Sequence, residues 1–400
     1  MASAYYALVP NSSRTAVLTV GGKLPVIHAE TRHQFKALER LKRALRLDAV
    51  FLRAAARVSR GEEVDLVNQF DAPPADWIPR PPAKWLRLEE ADAITLAQAG
   101  LVNAVGGWLE ELRGAPIHPK RPPWARPGWL AQASGWVAEH APIRGRPKLV
   151  RQWPLSAVYR FDSDEGPVFL KAVFSLFAPE PAVSQALARE HPGDVPEVVA
   201  IDVERGWILM RELVAKSARG EQAVEGVRTA ARIQRAWEQR ENELGSLGCR
   251  RRGLQELATE APALAPLCDR LAAYGIPESI VHGDLHHGNM LIVGDRTAVI
   301  DWSDAAIGHP FLDLAPVLWI GEKHQDALSK AYVEAWSDFA SRDDLLTAAA
   351  IAEVLGCVYQ AISYRAINNA FEPADRWLFS DSYGEWLDRA ADLGKALHPG

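Results

Sequence analysis

The stretch His282-Gly283-Asp284-Leu285-His286-His287-Gly288-Asn289 decides the reading of this chain, together with Met290 to Val293, Gly294-Asp295-Arg296, Thr297 to Ile300 and Asp301-Trp302. Two short apolar runs flank a turn-forming Gly-Asp pair, the pattern of a β-hairpin. With the turn centred on Asp295, Asn289 and Asp301 lie six residues away on either side. Closing the hairpin then sets them side by side at its open end. An amide oxygen and a carboxylate brought together suit a hard, oxygen-preferring cation such as Mg²⁺. Asp284 stands five residues before Asn289, in a loop whose glycines allow tight backbone. A carboxylate next to the metal pair can orient a substrate hydroxyl and accept its proton. The adjacent His286-His287 lacks a partner at ligand spacing, which argues against zinc.

An acid, four residues, an Asn, and then a further Asp reproduce the spacing of a kinase catalytic loop and its metal-binding aspartate. More closely, the stretch resembles the aminoglycoside phosphotransferase and choline kinase-like family, whose signature is His-Gly-Asp-Leu-His-x-Gly-Asn and then Ile-Asp-Trp or Ile-Asp-Phe. The resemblance runs from about Lys148 to the C-terminus and leaves out the N-terminal unit. It implies an α+β, bilobal protein kinase-like fold, a small β-rich lobe ahead of a larger helical lobe. It also implies ATP and Mg²⁺ as cofactors and a small-molecule acceptor. Position by position, it makes Asp284 the catalytic base and Asn289 and Asp301 the metal ligands. Asp313, in Gly308-His309-Pro310-Phe311-Leu312-Asp313-Leu314-Ala315, becomes the buried carboxylate that braces the loop. His282 and His286 hold loop geometry. His309 is a departure, since the family often has an acidic residue there.

Such an enzyme needs a phosphate anchor upstream. Phe169-Leu170-Lys171-Ala172-Val173 reads as a strand with a lysine among apolar neighbours, costly unless paired. Glu180, just before a helix over 181–190, matches the family's paired glutamate; Glu190 is a second candidate. The hinge, Arg211, Glu212 and Leu213, follows the strand Trp207 to Met210 and would pass the adenine. Between the first two strands of the small lobe the chain reads Trp153-Pro154-Leu155-Ser156-Ala157, without the glycines a protein kinase shows there. Ser156 is either a phosphate contact or a plain turn residue.

Working outward, proline clusters at 73–82 and 116–127 preclude helix or central strand, and the second reads as a linker. Three regions result: 1–127, an α/β unit; 128–215, a small lobe with hinge; and 216–400, a helical lobe with the catalytic loop. In the first, Ala16 to Val20 reads as a strand, 31–47 as an amphipathic helix, 49–58 and 64–70 as a hairpin turning at Gly61, and 91–112 as a helix. The pattern faintly resembles a degenerate Nudix-type domain, but Gly22 to Asp48 lacks the clustered Arg-Glu and Glu-Glu pairs of that chemistry.

Of 400 residues, 48% are hydrophobic and 24% charged, with a formal net charge of -6. That balance supports more than one packed core and argues against nucleic acid as a partner. The reading finds no membrane-spanning run and no cationic leader before an apolar stretch. Three scattered cysteines fit a reducing, cytoplasmic setting. Acceptors open to this reading are an aminoglycoside, an amino sugar, a sugar or an amino alcohol. Acidic candidates for an amine-bearing one are Asp304 and the helical face Asp381, Glu385 and Asp388, the last three equally a solvated face. Trp319, Trp336, Tyr359, Tyr364 and Trp377 either line a cation pocket or form core. The alternative in another class is a nucleotide-binding regulatory or sensor pseudokinase without turnover.

Overall fold

The computed structural model describes residues 3–30, 34–320 and 324–397. Residues 31–33, where the first helix was expected to begin, lie outside them. The chain divides into two compact units, the first comprising 1–136, 151–155 and 370–378, the second 137–150, 156–369 and 379–400. The division falls after Trp136 and not in the proline-rich stretch.

In the first unit, β1 (Ser3–Leu8), β2 (Ala16–Val20), β3 (Val26–Ala29), α1 (Gln34–Leu45), β4 (Phe51–Arg60), β5 (Glu63–Phe70) and β6 (Ala83–Arg87) precede α2 (Ala93–Leu96) and α3 (Val102–Leu112). The main sheet has the order β3-β1-β5-β4, and β2 pairs with β6. β1 runs parallel to β5 and antiparallel to β3. Its residues alternate between two apolar clusters, as strand geometry requires. Tyr5 packs with Ala37 of α1, whereas Tyr6 and Leu8 pack with Val105 and Trp108 of α3. The expected hairpin is β4–β5, turning at Gly61 with φ of +67°. The single helix read over 91–112 is broken. Asp92 accepts from Thr95 N and caps a one-turn α2, and Ala97 and Gln98 are extended before the chain re-enters helix.

The stretch read as a linker is packed. Arg121 is 5% exposed and lies between Glu111 and Glu372, at 2.7 and 2.6 Å. Arg53 meets the same Glu372 at 2.5 Å. Gln152 donates to the carbonyls of Phe51 and Leu52, and Trp124 Nε1 to that of Trp153.

The next elements are α4 (Trp129–His140), β7 (Ile143–Trp153), β8 (Ser156–Ser163), β9 (Val168–Val173), α5 (Glu180–Glu190), β10 (Val198–Asp202) and β11 (Trp207–Arg211). The strands form a sheet in the order β10-β11-β9-β8-β7. There follow β12 (Lys216–Ser217), α6 (Gln222–Ala236), α7 (Glu241–Ser246), β13 (Arg250–Arg251), α8 (Leu254–Glu260), α9 (Ala265–Ala272) and β14 (Ser279–Val281). Then come β15 (Met290–Val293), β16 (Arg296–Val299), β17 (Ala306–Gly308), α10 (Leu314–Ile320), α11 (Gln325–Glu334), α12 (Arg342–Ala370) and α13 (Ser382–Leu397). A β-rich part followed by a mostly helical one is thus the observed order within the second unit.

The helical core centres on Phe311, whose ring lies 5.5 Å from Tyr332 and 5.9 Å from Trp336. α12, 29 residues long, is apolar and long enough to cross a membrane by composition, which corrects the reading that no such run exists. Two thirds of its most apolar window is buried within the protein. Gly356 lets α12 approach closely: a Cβ there would fall 2.6 Å from the carbonyl oxygen of Leu312.

Glu372 is the carboxylate shared by two enclosed arginines, so its removal takes the counter-ion from Arg53 and leaves Arg121 with Glu111 alone. Glu372→Ala is expected to cost about 3–5 kcal/mol of unfolding free energy, measured by urea denaturation. An unchanged midpoint would show that the cluster is solvated.

Candidate active site

β9 carries Lys171 between Val158 of β8 and Ile208 of β11. The side chain is almost wholly enclosed, so its charge must be met by protein groups. Its Nζ lies 2.5 Å from Glu180 Oε1, at the start of α5, and 2.6 Å from Asp301 Oδ1. Burial works against the ammonium, but Asp301 and Glu180 outweigh it and raise the lysine pKa. Burial also opposes charge on Asp301. There Lys171 prevails and holds the carboxyl well below the usual range. Glu180 is left with burial and the neighbouring Asp301 charge, which together push it up to about 7 against the pull of Lys171. One cation thus faces two carboxylates, and Asp301 is the one kept ionised. Glu190 plays no part in this cluster: it pairs with Arg240 at 2.7 Å.

The hairpin β15–β16 forms as expected, with a finer correction. Its turn is the two residues Gly294-Asp295, since Val293 pairs with Arg296 and Met290 with Val299. Continuing the ladder, Ile300 N donates to Asn289 O at 2.9 Å. Asn289 therefore opposes Ile300, and Asp301 lies one residue beyond. Asp301 takes a left-handed backbone with φ of +64°, which costs a non-glycine residue roughly 1–2 kcal/mol. The Lys171 ion pair accompanies that strained conformation.

Asn289 donates Nδ2 to the carbonyl oxygen of Asp284 at 2.9 Å, leaving its amide oxygen as the atom available to a cation. An amide oxygen beside an ionised carboxylate, with no thiolate or imidazole in the set, fits a magnesium ion completed by water and phosphate oxygens. No group of three or more His, Cys, Asp or Glu able to hold a metal occurs among the described residues.

The loop is held from beneath. Asp313, 1% exposed, accepts from the backbone N–H of His282 at 2.7 Å and of Gly283 at 2.8 Å, and from Gln234 Nε2 at 2.7 Å. Burial pushes its carboxyl up to about 7 despite those three donors. Tyr332 bonds Gln234, and Gln360 donates to the Gly283 carbonyl. Gly283, at φ of +83°, admits no Cβ, which would fall 2.5 Å from that of Asp304.

His282 accepts from Asp284 N on Nδ1 and meets the Ile300 carbonyl with Nε2, at 3.3 and 3.0 Å. Burial lowers its pKa, so the neutral Nε2–H tautomer ties the loop to the hairpin. His286 accepts from Gly288 N on Nδ1 and turns Nε2 towards Asp284 Oδ2, 3.5 Å away. It therefore holds the turn and stands beside the Asp284 carboxylate. His309 caps the turn leading to Asp313 by accepting from Phe311 N, and burial lowers its pKa to about 3. A neutral cap thus stands at the position where the resemblance makes an acidic residue the common choice.

Other expectations sort by place. In the hinge, Arg211 N donates to Glu197 O and Glu212 N to Pro167 O, both at 3.0 Å. Those two amides are spent. The Glu212 side chain binds Arg160 at 2.7 Å. Ser156 is buried at the start of β8, opposite Val173. Asp381, Glu385 and Asp388 are exposed at and along α13. Asp304 is half-buried, and burial followed by the Asp284 charge pushes its carboxyl up to about 7. Tyr364 feels Asp284, Asp304 and Glu385 together. Trp336 is core, Trp319 packs on Trp386, and Trp377 belongs to the first unit beneath Arg57. Tyr359 is buried under the Arg252 guanidinium. The sequence reading missed Gln234, Gln360 and Arg252. Only the last had a visible signal, the run Arg250-Arg251-Arg252.

Residues 154–351 match the model of the phosphotransferase enzyme family (APH). Among solved structures, a choline kinase from Streptococcus pneumoniae is 14% identical, covers 66% of this chain and 98% of its own, and has a TM-score of 0.49. A choline/ethanolamine kinase family protein from Mesorhizobium loti is 16% identical, with 68% and 96% covered and a TM-score of 0.47. A spectinomycin phosphotransferase in complex with ADP and spectinomycin is 10% identical, with 67% and 98% covered and a TM-score of 0.44. No curated protein matches the chain in sequence.

Asp313→Ala strands two buried backbone donors and the Gln234 amide. At roughly 1–3 kcal/mol for each unsatisfied group, it is expected to cost at least about 3 kcal/mol in chemical denaturation. Loss below about 1 kcal/mol would mean that water replaces the carboxylate.

Proposed function

We propose that this chain, whose residues 154–351 match the phosphotransferase enzyme family, moves the γ-phosphoryl group of ATP to a hydroxyl of a small molecule. The observation that carries this reading is the enclosed Lys171 ammonium bonded at once to Glu180 and Asp301, with Asn289 and Asp284 on the adjoining loop.

Lys171 contacts phosphate oxygens of ATP, its charge kept by the two carboxylates. Asn289 and Asp301 would hold Mg²⁺, which when bound neutralises phosphate charge. Asp284 accepts the acceptor's hydroxyl proton while the hydroxyl oxygen forms the new bond to phosphorus and the bond to the β-phosphate oxygen breaks, releasing ADP. His286 stands beside the Asp284 carboxylate. Asp313 keeps the His282 and Gly283 amides in place, so the loop does not reorganise during transfer.

Asp284→Asn tests the assignment. It is expected to lower kcat by about 10²–10⁴-fold while leaving Mg–ATP affinity near that of the wild type, measured by transfer from γ-labelled ATP and by calorimetric titration. Full transfer in the variant would remove Asp284 as the base. ATP binding without transfer to amino sugars, aminoglycosides, sugars or amino alcohols would favour the regulatory alternative.

A further inference from the structure

Asp304 opens onto a cavity of about 360 Å³ whose charged lining is Arg250, Arg251, Arg252, Arg365, Glu260 and Asp304. Four guanidinium groups face two carboxylates. Arg365 is offset by Glu260 at 3.3 Å, and Arg251 by Glu278 at 2.5 Å. Arg250 and Arg252 have no carboxylate within ion-pair distance among the described residues. Arg250 donates only to the Leu176 carbonyl, at 3.3 Å.

Arg252 is held in a single pose. Its guanidinium lies 3.8 Å from the Tyr359 ring centre, and its Nη2 donates to Ser363 Oγ at 2.9 Å and to the Tyr359 carbonyl at 3.3 Å. Its backbone N–H donates to Ile307 O at 2.8 Å, and Gly308 leaves room for its carbonyl, since a Cβ there would fall 2.9 Å from that oxygen. A guanidinium offers five donors. With only neutral acceptors engaged, Arg252 keeps spare donors and a full charge facing the cavity. A rigid arginine of this kind recognises carboxylate or phosphate.

Through Asp304 the cavity adjoins the loop that carries Asp284. Asp304 packs against Gly283, the residue before Asp284, and its carboxyl feels the charge of Asp284. We propose that this cavity is the acceptor subsite and that Arg252, with Arg250, selects hydroxyl compounds bearing a carboxylate or phosphate group. The inference rests on the phosphotransferase reading above and departs from the amine-bearing acceptor that Asp381, Glu385 and Asp388 suggested. The anion sits on the arginines, and the hydroxyl is left to reach Asp284. Burial and the Asp284 charge raise the Asp304 pKa against the pull of Arg252, which lessens its repulsion of an anion.

Two measurements test this on the full chain. With the nucleotide site filled by a non-hydrolysable Mg–ATP analogue, inorganic phosphate is titrated by ³¹P NMR or calorimetry. Wild type is expected to bind it, Arg252→Gln about tenfold or more weakly, and Arg252→Lys and Arg250→Gln at intermediate strength. Transfer from γ-labelled ATP is then compared for matched acceptors: glycerate with glyceramide, gluconate with gluconamide. The charged member is expected to show the higher kcat/KM, and Arg252→Gln to shrink that ratio about tenfold through KM. Should Arg252→Gln fail to fold by circular dichroism, Arg252→Lys and Arg250→Gln carry the test. Phosphate binding equal in wild type and variants, or transfer indifferent to acceptor charge, overturns the anionic subsite and leaves the kinase reading standing. Failure of the Mg–ATP analogue to bind removes the kinase reading itself.

Discussion

An ammonium group drawn out of water has to be neutralised where it stands. Lys171 is such a group, and its two partners come from separate parts of the second unit: Glu180 from the start of α5, and Asp301 from the end of a hairpin 130 residues downstream. The pairing therefore sets the sheet, α5 and the hairpin exit relative to one another. The cluster holds one carboxylate more than it has cations. Its charges stay resolved because Asp301 takes the ionised state and Glu180 the raised pKa. A site built this way keeps an ionised carboxylate on a left-handed residue at the hairpin exit, an arrangement suited to a bound cation.

The loop 282–289 solves a related problem with hydrogen bonds. Tight backbone around Gly283 exposes amides that a helix or strand would have consumed, and burial makes each one costly if left bare. Asp313 takes two of them, Gln360 takes the adjoining carbonyl, and His282 spans from the loop to the hairpin. Asp284 thus sits on a loop whose backbone on either side, at His282, Gly283 and Gly288, is tied by hydrogen bonds. Its own side chain remains open to solvent and to His286.

The parts legible in the sequence were those with short-range grammar. The hairpin, the alternation that buries Lys171, and the motif carrying Asp284, Asn289, Asp301 and Asp313 all depend on neighbours within a few residues or on a family pattern. Even there, counting from Asp295 set Asn289 opposite Asp301, whereas a two-residue turn shifts the register by one. Long-range packing was not legible. Nothing local shows that 151–155 and 370–378 join the first unit, that the proline-rich stretch delivers Arg121 to Glu372, or that α12 is a buried core helix. The exposed acidic face of α13 follows helical spacing faithfully, yet spacing could not tell a pocket from a solvated surface.

We propose Asp301 as a metal seat and not merely the counter-ion of Lys171. Mn²⁺ serves as a paramagnetic stand-in for Mg²⁺, and its affinity in the presence of a non-hydrolysable ATP analogue can be read directly by electron paramagnetic resonance. The account expects Asp301→Asn to weaken Mn²⁺ binding about tenfold or more, with Glu180→Gln changing it little. Equal Mn²⁺ affinity in wild type and Asp301→Asn would contradict it.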